Sequence, residues 1–409
     1  RVHTAGAVFD RVGVHSHRVY HRNCIVCHID GVRKVNYEET QQLTRDYKFR
    51  KGVLRMKFTK KLTAGILSTV MLMSFASCGS EESETVGMGD MTDEERIITA
   101  AQAGKIGNWG LGNEYEIQAL LTKYGQSTDY VSMDFTMDQF DQDIITLASA
   151  MTYNELGLVK NDYEGGYGYG DTVGIIDMND QGVAMLEDMI FCTKTFAAEN
   201  PNTVRAFVSA SLKGWAYACA NPEEAAEIVY AAGSSVSSDH QAYMAAEVKK
   251  LCETDTKGNA VTNYGNIDDE AMQQTLDLAK QYIKLSDSAA NEKLQAMTLD
   301  DIRDASFLTG ELGTPEKTDV SIQLKWLPQA QFMGYYVAEA KGYYDEVGLN
   351  VTIISGGGDI GETTAVNSGT VDFGVTWVAN LISANAGGMD LVDVAQIYQR
   401  SGLVLVYKK

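Results

Sequence analysis

Residues 320–360 read VSIQLKWLPQAQFMGYYVAEAKGYYDEVGLNVTIISGGGDI, and their pattern determines the fold class. Apolar residues alternate at the start of this stretch, which predicts a half-buried strand. A helical pattern begins near Gln329 and stops at Gly342, a residue type that commonly follows the end of a helix. Residues 349–354 (LNVTII) predict a second strand. The stretch therefore reads as strand, helix and strand.

A second block, residues 104–305, shows the same alternation. It opens with the predicted strand KIGNW (105–109), which is followed by a glycine-containing turn and a helix. Residues 371–375 (VDFGV) add a third strand to the first block. Strands that alternate with helices at this spacing indicate parallel, doubly wound sheets. We therefore expect an α/β protein with two lobes, for which 409 residues are long enough.

The charge distribution argues against a nucleic-acid partner. The net charge is −21, and because residues 1–78 carry +9, residues 79–409 carry −30. Such an acidic body repels nucleic-acid phosphates and anionic lipid headgroups. After residue 28 the sequence contains one histidine, His240, which nearly excludes histidine-based acid–base chemistry and a multi-histidine metal site. We expect no nucleic acid, no metal and no cofactor.

Residues 56–78 have the layout of a secretory signal peptide. Three lysines precede an apolar run, and small residues lead to Cys78. The segment resembles a bacterial lipoprotein signal, which implies that Cys78 is lipidated and becomes the first mature residue. Phe75 departs from the leucine that is usual at its position in such signals. Residues 79–103 would then be an acidic tether, and the protein would be extracytoplasmic and lipid-anchored to a bacterial cell membrane.

Upstream of this signal, residues 24–28 match the C-x-x-C-H pattern of covalent haem attachment. Haem attachment of this kind requires export, and the motif would be left behind when the signal is cleaved. We interpret residues 1–55 as non-native upstream sequence that precedes the true start at Met56.

Several stretches resemble one known family. They are residues 320–360, SGTVDFGVTW (368–377), GKIGNWGLGNEYEIQALLTKYG (104–125), MDFTMDQF (133–140), ASAMTYNEL (148–156) and NPNTVRAFVSASLKGWAYACANPEEA (200–225). They resemble the thiamine-precursor-binding proteins, the substrate-binding lipoproteins of ABC transporters that are related to sulfonate- and nitrate-binding proteins and to fungal pyrimidine synthases. The resemblance implies a two-lobed periplasmic-binding-protein-like fold of type II, with a hinge between its doubly wound sheets.

The order of the blocks departs from that of the family, in which the block found here at 319–409 comes first. The chain therefore reads as a circular permutant, although a rearranged gene prediction or an assembly error would give the same order. On this interpretation residues 104–195 form the second lobe, 196–305 return into the first lobe, 306–318 are a linker and 319–409 form the first lobe. Because the chain ends of domains often lie close together, such a permutant can fold.

The resembling motifs predict a ligand cleft between the lobes, because ligands of open α/β sheets bind beyond the carboxyl ends of the strands. The predicted ligand-binding residues are Trp326, Gln331, Tyr335, Gly357, Asp359 and Trp377 in one lobe, and Asn113, Glu114, Tyr115, Tyr153, Asn154 and Glu155 in the other. Plainer alternatives are that the tryptophans are core residues, that the asparagines only cap helices and that the glutamates are solvated.

Aromatic side chains beside carboxylates and amides suit a flat, nitrogen-rich heterocycle. The resemblance implies a formyl- or aminomethyl-pyrimidine precursor of thiamine, or a related vitamin such as riboflavin. A sulfonate- or nitrate-type anion is less expected, because the arginines after residue 97 are Arg205, Arg303 and Arg400, which lie outside the cleft motifs. Helix N-termini can bind anions without arginine, so this alternative stays open.

The resemblance implies transport and not catalysis, with an ABC permease and its ATPase as partners. The alternative is an enzyme like the fungal pyrimidine synthases. Against it, the chain lacks their cysteine-rich CCCFC run, and its cleft motifs contain no histidine. We therefore expect closure of a hinge on a small molecule and no enzymatic activity.

Overall fold

Two five-stranded sheets form the framework of the protein. The computed structural model describes residues 87–234, 236–358 and 360–409. Asp359 and the predicted segments 1–55 and 56–78, with Cys78, lie outside the described residues. In chain order the strands are β1 (Ile106–Asn108), β2 (Val131–Ser132), β3 (Leu147–Met151), β4 (Val173–Asp177), β5 (Met189–Thr193), β6 (Asp319–Gln323), β7 (Asn350–Ile354), β8 (Phe373–Thr376), β9 (Leu391–Gln396) and β10 (Leu403–Lys408).

Helices cover these sheets. In chain order the α-helices are α1 (Asp93–Gln102), α2 (Glu114–Lys123), α3 (Asp138–Asp141), α4 (Glu155–Lys160), α5 (Lys194–Glu199), α6 (Pro201–Ala220), α7 (Pro222–Ala231), α8 (Ser238–Glu253), α9 (Asp269–Tyr282), α10 (Ser288–Ala296), α11 (Met333–Ala340), α12 (Tyr343–Glu346), α13 (Glu362–Asn367) and α14 (Val378–Ala386). Within the described residues, no helix has both the length and the apolar character needed to span a membrane.

Each sheet contains one antiparallel strand among four that run in the same direction. In the first sheet, sheet A, the order is β2-β1-β3-β10-β4, and β10 is antiparallel to both neighbours. In sheet B the order is β7-β6-β8-β5-β9, and β5 is antiparallel to both neighbours. Central strands such as β3 and β8 are buried along their whole length, as expected where helices cover both faces. The predicted two-lobed, periplasmic-binding-protein-like α/β fold is confirmed.

The antiparallel strand of each sheet arrives from the other sheet, so the chain crosses between the sheets twice. Residues 178–188 lead from β4 to β5, and residues 397–402 lead from β9 to β10. We call them the hinge segments. They are hydrogen-bonded to each other, because Asn179 Nδ2 donates to the Ser401 carbonyl over 2.8 Å and the Ser401 N–H donates to Asn179 Oδ1 over 3.3 Å. Two adjacent crossings of this kind allow two lobes to close about a ligand.

Helix α6 follows β5 and α5 and packs in the lobe of sheet B. It starts at Pro201, as the Asn-Pro pattern predicts, and packs against α11. The contact depends on Gly334, where a Cβ atom would lie 2.2 Å from the indole of Trp215. In the predicted linker, the Glu316 carboxylate accepts a hydrogen bond of 2.9 Å from the backbone N–H of Thr203 in the first turn of α6. This hydrogen bond holds the predicted linker against the first turn of α6.

The end of β10 lies beside a 3₁₀ turn at Met88–Asp90. A Cβ atom on Gly89 would lie 3.2 Å from the carbonyl carbon of Lys409. In the family order the first block would lead into the second one near this point. The two segments are thus close enough for either order of the blocks to build the same sheets.

Candidate ligand-binding site

A cleft lies between the two sheets and is lined from both sides. Sheet B and its loops contribute Lys325, Trp326, Gln329, Gln331 and Trp377, and sheet A and its loops contribute Trp109, Leu111, Phe135, Met151, Tyr153, Asn154 and Glu155. Most of these residues follow the carboxyl ends of β1, β3, β6 and β8, which is where open α/β sheets bind ligands. The cavity has a volume of about 100 Å³. It is thus smaller than the roughly 300–1,000 Å³ of pockets for drug-sized molecules.

Aromatic rings form much of both walls. Phe135 from the sheet A lobe meets Trp326 from the sheet B lobe edge to face, with 4.9 Å between the ring centroids. The Trp377 indole is held in place because its Nε1–H donates to Asp188 Oδ1 over 2.9 Å. The rings thus present apolar surface whose orientation is fixed by neighbouring groups.

Asp188 is a buried carboxylate behind the cleft wall, at the end of a hinge segment. Besides the Trp377 indole, Gln331 Nε2 donates to its Oδ2 over 2.9 Å. Burial raises the pKa of Asp188 to about 7, and the Gln331 amide, the Lys325 charge and the Trp377 indole oppose that rise. Asp188 therefore connects the hinge to two residues that line the cleft.

Glu155 is the carboxylate in the sheet A wall. Its Oε2 accepts the Met151 N–H over 2.9 Å, and its Oε1 accepts Asn154 Nδ2 over 2.8 Å. Burial raises the pKa of Glu155 above its ordinary value. Each carboxylate oxygen retains a second lone pair, so Glu155 can accept further hydrogen bonds from a ligand N–H group.

His240 orients Asn154 from behind the cleft. Burial lowers the pKa of His240 to about 4, so its imidazole is neutral near pH 7. A neutral imidazole has one donor and one acceptor nitrogen. Accordingly, Nε2–H donates to Asn154 Oδ1 over 2.8 Å, and Nδ1 accepts the Tyr163 hydroxyl over 2.6 Å. Both ring nitrogens are engaged, which leaves the histidine a structural role.

Lys325 is the cation in the sheet B wall. Its ammonium lies 3.3 Å from Glu362 Oε1 and 4.5 Å from the centroid of the Trp377 ring. Glu362 also accepts a hydrogen bond from the Thr376 hydroxyl. Within the described residues no group of three or more His, Cys, Asp or Glu side chains is arranged to hold a metal ion.

The structure brings half of the twelve predicted residues to the cleft. These are Trp326, Gln331, Trp377, Tyr153, Asn154 and Glu155. Neither asparagine of the prediction caps its helix through the side chain, and Glu155 is 9% exposed, so the capping and solvated alternatives do not describe these residues.

Five other predicted residues lie elsewhere. Tyr335 is in the core, edge to face with Trp215, because the α11 face that carries it packs on α6. Asn113 is buried and accepts a hydrogen bond from Asn108 Nδ2. The other three, Glu114, Tyr115 and Gly357, do not line the cleft. The Glu114 carboxylate accepts a hydrogen bond from the Gly112 N–H, and Tyr115 packs on the core beside α9 and α14. Gly357 lies in the turn after β7.

Sequence reasoning missed six lining residues, which are Trp109, Leu111, Phe135, Met151, Lys325 and Gln329. Trp109 could have been found, because it directly follows β1 in the way that Trp377 follows β8. Phe135 could not, since it stands in an irregular loop where no periodicity marks its direction. Asp188 and His240 reach the site only through contacts distant in sequence.

Comparisons with known proteins agree with this fold. Residues 102–225 and 329–409, which make up about half of the chain, match the family described as NMT1/THI5 like. Similar curated proteins include the 4-amino-5-hydroxymethyl-2-methylpyrimidine phosphate synthases THI11 and THI5 of Saccharomyces cerevisiae, each 27% identical over 90 residues. Those alignments cover 22% of this chain and 26% of each yeast protein, so the chain matches about a quarter of the length of these relatives. Of the ten strands described above, all but β6 lie within the matched residues, and the chain belongs to the NMT1/THI5-like family.

Proposed function

We propose that the protein is the substrate-binding component of an ABC importer and captures a small aromatic heterocycle by closing its two lobes. The observation that carries the proposal is the cleft beside the hinge segments, which is lined by three of the four tryptophans of the chain. Stacking on such rings, with Glu155 and Asn154 able to hydrogen-bond the ring edge, suits a flat ligand that contains nitrogen.

The size of the cavity favours a one-ring ligand. The cleft is narrow in this structure, with a volume of about 100 Å³, and a single ring is closer to that size than the three fused rings and ribityl chain of riboflavin. The yeast relatives are named as synthases of an aminopyrimidine phosphate, which is in keeping with a ligand of this class. We therefore propose a pyrimidine precursor of thiamine as the ligand.

The charges around the cleft disfavour an anionic ligand. The buried carboxylates Glu155, Asp188 and Glu362 outnumber the ammonium of Lys325. A sulfonate or nitrate ion would be repelled by the ionised members of this set and would find no arginine among the lining residues. A neutral heterocycle that donates N–H groups meets no such penalty.

Binding without catalysis fits the site better than a synthase activity. His240 has both ring nitrogens occupied and a pKa near 4, so it is a poor proton acceptor at neutral pH. Cys192 and Cys252 are buried outside the cleft, and burial raises the pKa of each thiol. The described cleft therefore offers neither a thiolate nor a histidine base.

The proposed function implies a location outside the cell membrane and a membrane partner. A lipid anchor at Cys78 and the tether after it would hold the protein outside the cell membrane, where the closed form would dock on a permease that works with an ATPase. This part of the proposal depends on the sequence of residues 56–92, because the rest of the predicted tether forms α1, which packs into the core through Ile97 and Ala100.

Thermal unfolding with added ligands tests the proposal. We expect 4-amino-5-hydroxymethyl-2-methylpyrimidine and its aminomethyl and formylaminomethyl analogues to raise the melting temperature, and riboflavin and sulfonates to leave it unchanged. The Trp326→Ala variant should lose the shift, and Ile144→Ala, at an exposed position that does not line the cleft, should keep it. Absence of any shift at millimolar pyrimidine would reject the proposed ligand.

A further inference from the structure

The Lys325 side chain is 10% exposed and lines the cleft, which is an unusual position for an ammonium group. An ammonium group has three N–H donors, and buried donors are normally hydrogen-bonded. Among the described residues, the hydrogen bond of Lys325 Nζ is the one to Glu362 Oε1, at 3.3 Å. The Trp377 ring, 4.5 Å away, stabilises the charge but accepts no conventional hydrogen bond. The ammonium therefore has donor capacity left at the cleft surface.

The surroundings of Lys325 determine which acceptor it can take. Glu362 neutralises its charge, and Glu362 is itself held by the Thr376 hydroxyl at the end of β8. Asp188 is a second carboxylate whose ionisation the Lys325 charge favours. An anionic acceptor would bring a further negative charge to carboxylates that already balance the ammonium. A neutral acceptor brings none.

We propose that Lys325 donates a hydrogen bond to a neutral acceptor of the ligand, either a ring nitrogen or a carbonyl oxygen, and so selects heterocycles over carbocycles of the same shape. Glu362 is a positioning residue that fixes the ammonium at the cleft surface. This inference rests on the proposed function, in that the cleft is taken to bind an aromatic ring. The ligand would then meet a hydrogen-bond donor, Lys325, on the sheet B wall and a hydrogen-bond acceptor, Glu155, on the sheet A wall.

Two probes that differ in acceptors test the selection. 4-Amino-2-methylpyrimidine has two ring nitrogens, and 3-methylaniline has the same outline without them. By calorimetry, the wild-type protein should bind the pyrimidine more tightly by about 10- to 100-fold, the range for a hydrogen bond to a charged group. Lys325→Met should reduce this preference to a few fold, and Ile144→Ala should leave it unchanged. An undiminished preference in Lys325→Met would overturn the inference while leaving the proposed function intact.

The melting temperature of the ligand-free protein provides a second test, which does not depend on the probes. Replacing a buried ion pair by apolar residues of similar volume is often neutral or stabilising. If Lys325 and Glu362 serve ligand recognition, the double variant Lys325→Met/Glu362→Gln, whose amide oxygen can still accept the Thr376 hydroxyl, should melt at or above the wild-type temperature and lose the pyrimidine preference. A lower melting temperature of the empty double variant would show that the pair is structural and would overturn the inference, even if no pyrimidine bound to the wild type.

Discussion

The Phe135 ring and the Trp326 indole meet edge to face across the mouth of the cleft, with their centroids 4.9 Å apart. Phe135 stands in the loop after β2 in sheet A, and Trp326 follows β6 in sheet B. The Phe135 side chain is 52% exposed, so the contact is open to solvent and can be broken when the lobes separate. If the cleft captures a ligand as proposed, we expect this contact to slow its release, because both rings must part before the cleft opens.

We expect Phe135→Ala to weaken ligand binding about three- to tenfold, the equivalent of one aromatic pair. The loss should appear mainly as faster dissociation, measured by stopped-flow fluorescence. Ile144→Ala, another exposed apolar position in the same lobe, is the matched control. An unchanged dissociation rate in Phe135→Ala would show that the contact has no part in closure.

A second contact across the mouth joins Gly112 to Asn380 at the start of α14. The Asn380 Nδ2 donates to the Leu111 carbonyl over 3.2 Å, and a Cβ atom on Gly112 would lie 1.8 Å from Asn380 Oδ1. Gly112→Ala should therefore weaken ligand binding about two- to tenfold, because the added methyl group must displace the Asn380 side chain from its hydrogen bond to the Leu111 carbonyl. Titration calorimetry would measure this.

Two further variants separate the clash from backbone strain. Gly112 and Gly110 both have positive φ, at 114° and 80°, but a Cβ atom on Gly110 would meet nothing within 4 Å. Gly110→Ala thus reports strain alone, of about 1 kcal/mol. Asn380→Ala should restore much of the binding to Gly112→Ala and nothing to Gly110→Ala. Equal effects of the two glycine variants would argue against a closure contact at Gly112.

Buried acids at the hinge segments predict an inverted pH dependence of stability. Burial raises the pKa of Glu187 well above its ordinary value and that of Glu116 to about 8, while that of Asp188 rises to about 7. A raised pKa means that the folded state binds these protons more tightly than the unfolded state. The free energy of unfolding should therefore fall as the pH rises from 6.5 to 8. Below 6.5 the lowered pKa of His240 acts in the opposite direction.

Chemical denaturation at pH 6.5 and pH 8 would measure this slope. Glu187→Gln keeps an acceptor for the Ser401 hydroxyl and removes the charge. It should stabilise the protein at pH 8 by about 1–2 kcal/mol, with a smaller gain at pH 6.5. The exposed Glu199→Gln variant serves as the control. A Glu187→Gln variant less stable than the wild type at pH 8 would contradict the assignment of Glu187 as a buried, destabilising acid.

Local patterns predicted four of the eight strands that run in the common direction of their sheets, which are β1, β6, β7 and β8. The strands predicted at 349–354 and 371–375 overlap β7 and β8, and α6 starts at the proline of its Asn-Pro pair. These features depend on alternation and turn residues within a few positions. By contrast, the placement of β5 between β8 and β9 depends on pairing partners almost 200 residues away, which no local pattern specifies.

The site residues show the same difference between what local patterns predict and what depends on distant contacts. Trp377 and Glu155 were predicted because Trp377 directly follows β8 and Glu155 lies at the start of α4, shortly after β3, where the rule for α/β sheets applies. Tyr335 illustrates the limit: it lies one turn into the helix region after β6, but packing of α11 on α6 turns it into the core. Lys325 immediately precedes Trp326, and only its contacts with Glu362 and Trp377 reveal a role.

The most direct test of ligand capture in the cleft is titration of the intrinsic tryptophan fluorescence with 4-amino-5-hydroxymethyl-2-methylpyrimidine. Trp109, Trp326 and Trp377 line the cleft, while Trp215 is buried in the core. We predict a saturable change in emission at micromolar ligand that Trp215→Phe retains and Trp326→Phe diminishes. Emission that stays unchanged up to millimolar ligand, or a change that depends on Trp215 alone, would contradict the account.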